Sequence, residues 1–552
     1  MRSYYSGPST TPLLGATIGE ALRSTSERVP DALALVSRHQ GVRLTWRELD
    51  QQADELARGL LASGIQKGDR VGIWSPTCVE WTLLQMASGR VGSILVNVNP
   101  AYRTAELSYA LSHSAVRMLV TAPRFKSSDY LAMLSEVRPT LPALECVVVI
   151  GEAPGGPADR SFEDLVAGGA AVDPQMVRDA ESLLDPDDPI NIQYTSGTTG
   201  SPKGATLTHH NILNNARSIA DVLEYTDADR VCIPVPLYHC FGMGIGSLGC
   251  VTSGAAMVYP AESFEPETTL DAIAEESCTS IYGVPTMFIA MLASPRFGDH
   301  DLRSLRTGIM AGAPCPVEIM KRVVNEMHAS EMTIAYGMTE TSPASAMTRR
   351  WDDLERRTST VGTALPHVEI KIADPLSGGT VPTGTPGELC ARGYLVMDGY
   401  WRNPEATAEA IDSCGWMHTG DLAVMDGDGY VNIVGRSKDM VIRGGENIYP
   451  REVEEVLFQH PGVASAQVIG VPDERMGEEL MAWVALDEGQ TMTEEQLRGF
   501  CRDRLAHFKI PRYWKFVSDF PLTVTGKVQK FKMREIAVAE LGLEEAAQIE
   551  TA

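Results

Sequence analysis

A layered α/β fold with largely parallel sheets is predicted, and three features of the sequence carry that expectation. Short β-rich runs alternate with apolar stripes at helical spacing through the first part of the chain. Near residue 366 the texture changes to short strands and tight turns, and after Gly435 a strand-and-helix pattern starts again. The chain has 552 residues, too many for one hydrophobic core, so at least two domains are expected. The reset at Gly435 places them at 1–436 and 437–552, the second of ordinary domain size.

The elements follow in order. Thr45-Trp46-Arg47-Glu48 has the form of a capping box, ahead of Leu49, Ala53, Leu56, Ala57, Leu60 and Leu61 on one helical face. Arg70–Trp74 and Ser93–Val98 read as strands, with a helix over 79–92 between them. The turn-rich stretch Leu184–Pro189 delivers the chain into an apolar strand, Ile190–Tyr194. Asp426-Gly427-Asp428-Gly429 is a hairpin turn, since the remaining ligand positions of a calcium loop are missing. Beyond it, Met440–Ile442 is strand-like, and Pro450 opens a helix with Val453, Val456 and Leu457 inward.

The most informative segment is Tyr194-Thr195-Ser196-Gly197-Thr198-Thr199-Gly200-Ser201-Pro202-Lys203-Gly204. Its glycines allow backbone N–H groups to point into a concave nest, its hydroxyls add donors, and Lys203 adds a positive charge. That set suits a polyphosphate. It is not the common ATP loop, because Gly204 stands where a Ser or Thr would follow the lysine. Taken alone, the segment also reads as a solvated turn. A strand before it and a helix from His209 onward make a strand–loop–helix unit and favour phosphate.

Composition excludes several classes. Hydrophobic residues make up 44%, ordinary for a globular protein, and a formal charge of −25 disfavours nucleic-acid or anionic-membrane binding. There is no apolar run of membrane-spanning length and no signal-peptide core at the N-terminus. Ten cysteines scattered without C-x-x-C pairs fit a reducing cytoplasm rather than a disulfide framework or zinc site.

Six segments then coincide in one order: Tyr194–Gly204, Tyr336-Gly337-Met338-Thr339-Glu340, Thr419-Gly420-Asp421, Gly435–Asp439, Gly444–Pro450 and Pro521–Lys527. With them, from about residue 15 to 535, the chain resembles the adenylate-forming enzymes: acyl-CoA synthetases, peptide-synthetase adenylation domains and luciferases. The resemblance implies a large α/β domain with a small β-barrel-like subdomain, followed by a mobile α+β C-terminal domain. It implies ATP, Mg²⁺ and coenzyme A as co-substrates and cofactor, and an acyl-adenylate intermediate. Thr195, Ser196, Gly197, Thr198, Thr199 and Gly200 would hold the phosphates with Lys203. Glu340 would hold Mg²⁺ beside Thr339. Tyr336 with Gly337 and Met338 would stack on adenine against a wall of Gly312, Ala313 and Pro314. Asp421 would hold the ribose hydroxyls, with Arg436 nearby. Lys527 matches the catalytic lysine, and Lys438 matches the hinge about which the C-terminal domain rotates between half-reactions.

Gly444, Gly445 and Glu446 would line a pantetheine tunnel. Lys509 and Arg512 would either meet the CoA phosphates or solvate a helix end. Tyr238, His239, Phe241, Gly242 and Met243 match the segment bordering the acyl pocket. Amino-acid-activating relatives place an Asp after the Phe, and this chain has Gly242, so a buried ammonium would lack its partner. The glycines at 242, 244, 246 and 249 suggest either a roomy apolar cavity or simple packing. The expected reaction is formation of a medium- or long-chain acyl-CoA. Alternatives are a bulky or aromatic acid, loading of a carrier protein, and a non-catalytic adenylate-binding protein, the last disfavoured by Lys203, Glu340 and Lys527 together. A homodimer is left open.

Overall fold

The structure is a computed structural model, and it describes residues 1–152, 156–195, 202–313, 315–436, 439–443, 446–473, 475–502, 504–522 and 528–544. Two large sheets dominate the N-terminal part. In the first, strands Arg160–Ser161, Cys146–Val149, Met118–Thr121, Arg70–Trp74, Ile94–Asn97 and Pro189–Thr195 run parallel. Lys203–Thr208 and Gly399–Tyr400 then extend it antiparallel. The second has a parallel centre, Glu331–Gly337, Thr307–Ala311, Ser280–Gly283, Arg230–Cys232, Ala256–Tyr259 and Leu33–Ser37, with antiparallel strands at both margins. Parallel strands flanked by helices are buried on both faces and so are mainly apolar here, with Asn97, Asn191 and Gln193 among the buried polar exceptions.

The expected helices form for the expected reasons. Trp46–Ala62 begins at the Thr45/Glu48 capping box and buries Trp46, Leu49, Ala53, Leu56 and Leu60. Each large apolar side chain taken from water there contributes about 1.5–3 kcal/mol. Val79–Val91 ends at Gly92, which adopts φ 75°, a left-handed cap. It is buried nearly all round, so its one cation, Arg90, is held by Asp50 and Asp54 of the neighbouring helix.

A smaller antiparallel sheet joins Tyr4–Ser6, Val368–Ala373, Gly387–Gly393, Met417–Met425 and Val431–Arg436. Its last hairpin turns at Asp426–Gly429, where Asp426 Oδ1 accepts from the N–H groups of Asp428 and Tyr430, so the carboxylate serves the turn. The C-terminal sheet contains Glu446–Ile448, Val441–Arg443, Gly477–Leu486, Val463–Asp473 and Tyr513–Phe516, with its own apolar clusters on both faces. Helix Pro450–Phe458 packs there through Val453 and Leu457.

One expectation is corrected. The segment after Tyr194 is not a strand–loop–helix unit: Lys203–Thr208 is a strand, paired with Pro189–Thr195 so that Thr195 faces Lys203 and Tyr194 faces Gly204. Helix His209–Val222 begins only beyond it, capped by Thr208. Six extended residues span about 20 Å, so that helix terminus is remote from the turn. The N-terminus of that helix is therefore not part of a phosphate cradle next to Lys203.

Candidate active site

The hairpin Pro189–Thr195/Lys203–Thr208 and the end of strand Glu331–Gly337 bring together the charged residues expected around ATP. After Gly337 the backbone doubles back so closely that a Cβ at that position would lie 1.8 Å from the Pro343 carbonyl oxygen; only glycine fits. The short turn Thr339–Thr341 follows, closed by Thr341 Oγ1 donating to the Pro343 carbonyl at 2.8 Å. Glu340 is thereby delivered to a buried position, 5% exposed, with its own carbonyl accepting from Met397 N–H at 3.0 Å.

Its carboxylate is organised from two directions. Thr195 Oγ1 donates to Glu340 Oε1 at 3.2 Å, and the Tyr400 hydroxyl donates to the same oxygen at 2.8 Å. Both bonds fall on Oε1, and Oε2, with no hydrogen bond among the described residues, offers the oxygen lone pairs a hard cation would use. Lys203 Nζ stands 5.1 Å from the centre of the Tyr400 ring. Burial, then the Glu340 charge, push the Tyr400 phenol well above its ordinary pKa, so it stays a donor. Sequence reasoning missed Tyr400. Its signal was available only in pairing: Gly399–Tyr400 is the strand added to the edge of Lys203–Thr208.

The residues expected on the nucleoside side are also brought together. The Tyr336 hydroxyl donates to Asp421 Oδ2 at 2.6 Å, joining the expected adenine and ribose contacts across two sheets. Asp421 is buried and sits opposite Arg436 in the ladder. Its approach is pinned at three points: Thr419 Oγ1 donates to the Leu389 carbonyl at 2.7 Å, Gly420 N–H to Glu388 Oε1 at 3.0 Å, and Asp421 N–H to Thr419 Oγ1 at 3.1 Å. Gly420 has φ 70°, a backbone that favours glycine. Gly312, φ 86°, and Ala313 follow strand Thr307–Ala311, beside the strand that carries Tyr336. Met338 leads from Gly337 into the Thr339 turn.

Known proteins were compared with this arrangement. The model of the AMP-binding enzyme family matches residues 22–401, and that of the AMP-binding enzyme C-terminal domain matches 452–527. The chain belongs to the AMP-binding enzyme family. As a member it is an AMP-forming acid–thiol ligase, working through an acyl-adenylate. It is 45% identical over 556 residues to the protein named medium-chain acyl-CoA ligase ACSF2, mitochondrial, of Danio rerio, covering 98% of this chain and 91% of that one. Among solved structures, ATP-bound MatB from Rhodopseudomonas palustris superimposes with a TM-score of 0.83 at 32% identity, covering 95% of this chain and 99% of that one. An anthranilate CoA ligase, AuaEII, in complex with anthranoyl-AMP gives 0.84 at 28%, covering 97% and 99%.

The segment of this AMP-binding enzyme expected to border the acyl pocket is not a regular α-helix. Phe241–Leu248 is a π-helical stretch, a form recurrent at functional sites. Behind it lie four buried amides. Gln85 Nε2 donates to the Met243 carbonyl at 3.1 Å, and Asn97 Nδ2 to the Tyr238 carbonyl at 2.9 Å. Gln193 Nε2 donates to Asn191 Oδ1 at 2.8 Å, and Asn191 Nδ2 to Asn97 Oδ1 at 2.9 Å. His239 accepts from Phe241 N–H at 3.2 Å, and Cys240 Sγ lies 3.7 Å from Thr339 Oγ1, linking the acyl segment to the Glu340 turn.

The glycines there differ. A Cβ on Gly242 would lie 2.3 Å from the Pro236 carbonyl oxygen, so Gly242 answers a backbone approach. A Cβ on Gly244 would meet only Pro343 Cδ, at 4.0 Å, so space opens at Gly244. Lys509 Nζ holds Glu452 at 2.7 Å, and Arg512 Nη1 holds Asp473 at 2.7 Å, so both expected CoA contacts stand in ion pairs. Glu446 is exposed at the start of its strand, opposite Arg443. Ser196, Gly197, Thr198, Thr199, Gly200, Pro314, Lys438, Gly444, Gly445 and Lys527 lie outside the described residues. Among the described residues, no helix is long and apolar enough to cross a membrane.

Proposed function

We propose that the protein is an ATP- and Mg²⁺-dependent synthetase of medium-chain acyl-CoA. The observation that carries the reading is the convergence of Thr195 and Tyr400 on Glu340, with Lys203 over the Tyr400 ring and the Tyr336–Asp421 pair at the same strand end. A carboxylate is a poor electrophile, so its oxygen first attacks the α-phosphorus of ATP and pyrophosphate leaves. The thiol of CoA then attacks the acyl carbon and AMP leaves. Tyr336 and Asp421 would hold the nucleoside, while Thr195 and Lys203 face the polyphosphate. Glu340 Oε2 fits Mg²⁺, which when bound would neutralise charge on the phosphate oxygens.

Lys527 is assigned to the α-phosphate on its motif. One positive charge at about 4 Å is worth roughly 4 kcal/mol at an effective dielectric of 20, about a thousandfold in rate. Lys438 as hinge, the boundary near residue 436, and Gly444–Glu446 as thiol entrance belong to the same proposal. The fatty acyl substrate is supported by the buried apolar side chains Phe241 and Met243, by the room for a Cβ at Gly244, and by the name of the Danio rerio relative. An aromatic acid is the second reading, favoured by similarity to the anthranilate ligase. Unpaired thiols throughout fit a reducing compartment, with the cytoplasm as first choice.

The test is a panel of carboxylic acids of increasing length, with benzoates, assayed for pyrophosphate release with and without CoA. Highest kcat/KM on medium-chain acids, with CoA-dependent thioester, is expected. No pyrophosphate with any acid would defeat the proposal, and thioester formed only on a carrier protein would remove CoA as acceptor.

A further inference from the structure

Helix Thr104–Ser114 carries no family motif, yet it grips both strands of the phosphate hairpin. Tyr109 and His113 stand one helical turn apart and stack, with ring centres 5.3 Å apart and planes at 12°. The Tyr109 hydroxyl donates to the Pro202 carbonyl at 3.1 Å, immediately before Lys203. His113 Nδ1 lies 3.0 Å from the Tyr194 hydroxyl, immediately before Thr195. That hydroxyl also donates to the Ala110 carbonyl at 3.2 Å, so its oxygen is left to accept, and the neutral His113 carries its proton on Nδ1.

The third ring closes the set. Tyr194 meets Tyr109 edge-on at 6.1 Å and His113 edge-on at 5.9 Å. Tyr194 faces Gly204 across the ladder, where a Cβ would crowd Ile192 Cγ2 at 3.0 Å and touch the Tyr194 ring at 3.4 Å. On the other edge, Trp401 N–H donates to the Gly204 carbonyl at 2.7 Å, one residue past Tyr400. Each strand is therefore fixed at the residue preceding its functional side chain.

We infer that Tyr109 and His113 are positioning residues for ATP: from one helix they set the register and spacing of Thr195 and Lys203. The inference rests on the ATP-dependent reading above. Neither residue touches substrate, and their effect passes through Pro202 and Tyr194. A neutral hydrogen bond of this kind changes an equilibrium by several-fold to about tenfold, which sets the scale expected for KM(ATP).

The experiment uses the full chain and steady-state adenylation by pyrophosphate exchange, varying ATP and acid separately. Tyr109→Phe removes one hydroxyl without changing shape. His113→Leu removes the Nδ1 donor, whereas His113→Asn restores one at the same position. The expected result is KM(ATP) raised several-fold in Tyr109→Phe and His113→Leu, with KM for the acid unchanged and His113→Asn close to wild type. Thioester formation from supplied acyl-adenylate should be unchanged in all three. An unchanged KM(ATP) in Tyr109→Phe overturns the inference. So does an equal rise for ATP and acid accompanied by a lower melting temperature, which would mark a general packing role. Wild-type protein without ATP turnover defeats the ATP reading itself and is distinguished at once from either result.

Discussion

The Tyr400 hydroxyl donates to Glu340 Oε1 at 2.8 Å while its ring faces Lys203, so one side chain orients both the anion and the cation of the phosphate site. Thr195 completes the arrangement on the same oxygen. The carboxylate is thus held through Oε1 from two sides.

Tyr400→Phe should loosen that orientation while keeping the ring beneath Lys203. A hydrogen bond to a charged group is worth about 1.5–3 kcal/mol, so kcat/KM for adenylation should fall roughly ten- to a hundredfold. The thioester half-reaction from supplied acyl-adenylate should not change. Pyrophosphate exchange measured across a magnesium titration checks this, and a variant indistinguishable from wild type would show that Thr195 alone orients Glu340.

Gly242 and Gly244 should respond oppositely to the same added methyl. Gly242→Ala drives a Cβ towards a backbone oxygen at 2.3 Å, which has no flexible end to move aside, and should cost about 1–3 kcal/mol. Gly244→Ala has its nearest neighbour at 4.0 Å and should fold as stably as wild type. Gly244→Leu should shift the preferred acid towards shorter chains. Thermal melts and the acid panel read both outcomes, and unaltered chain-length preference in Gly244→Leu would place the acyl group elsewhere.

That contrast shows what could be read without coordinates. Glu340, Asp421 and Tyr336 were legible because each sits in a short local motif whose backbone makes the turn that presents it. Alternating apolar runs likewise announced the parallel sheets, and Thr45 with Glu48 announced a helix start. Tyr400 and Tyr109 were not legible, since they reach the site through strand addition and helix packing at least 60 positions from Glu340 or Lys203 in the chain. Strand Lys203–Thr208 was missed because the helix beginning at His209 dominated the pattern after the glycine-rich turn. The four glycines of the acyl segment looked equivalent, and only their neighbours separate them.

Lys527→Ala should separate the half-reactions. With its charge removed, adenylation should drop by about a thousandfold on the electrostatic scale given above. Supplied acyl-adenylate should still be converted to thioester, because the proposed rotation about Lys438 carries Lys527 away from the α-phosphate before the thiol attacks. Single-turnover assays of each half-reaction check the separation. Equal loss in both would contradict the assignment of Lys527 to the first step alone.

His209 should make stability depend on pH in a defined window. It is fully buried, its Nδ1 accepts from Ile18 N–H at 3.0 Å, and its Nε2 is buried with no hydrogen-bond partner among the described residues. Burial lowers its pKa from 6.5 to about 4, opposed in part by Asp188. The folded state therefore holds the neutral ring while the unfolded chain takes up a proton first, so stability falls as pH drops from about 6.5 towards 4. The full gap corresponds to about 3 kcal/mol, an upper figure for one group. Protonation would also place a hydrogen on Nδ1 and break the bond from Ile18. His209→Asn keeps an acceptor near the Nδ1 position but does not titrate, so its urea-unfolding free energy should fall less steeply across the same window. Parallel curves for the two proteins would show that the loss of stability arises from other groups.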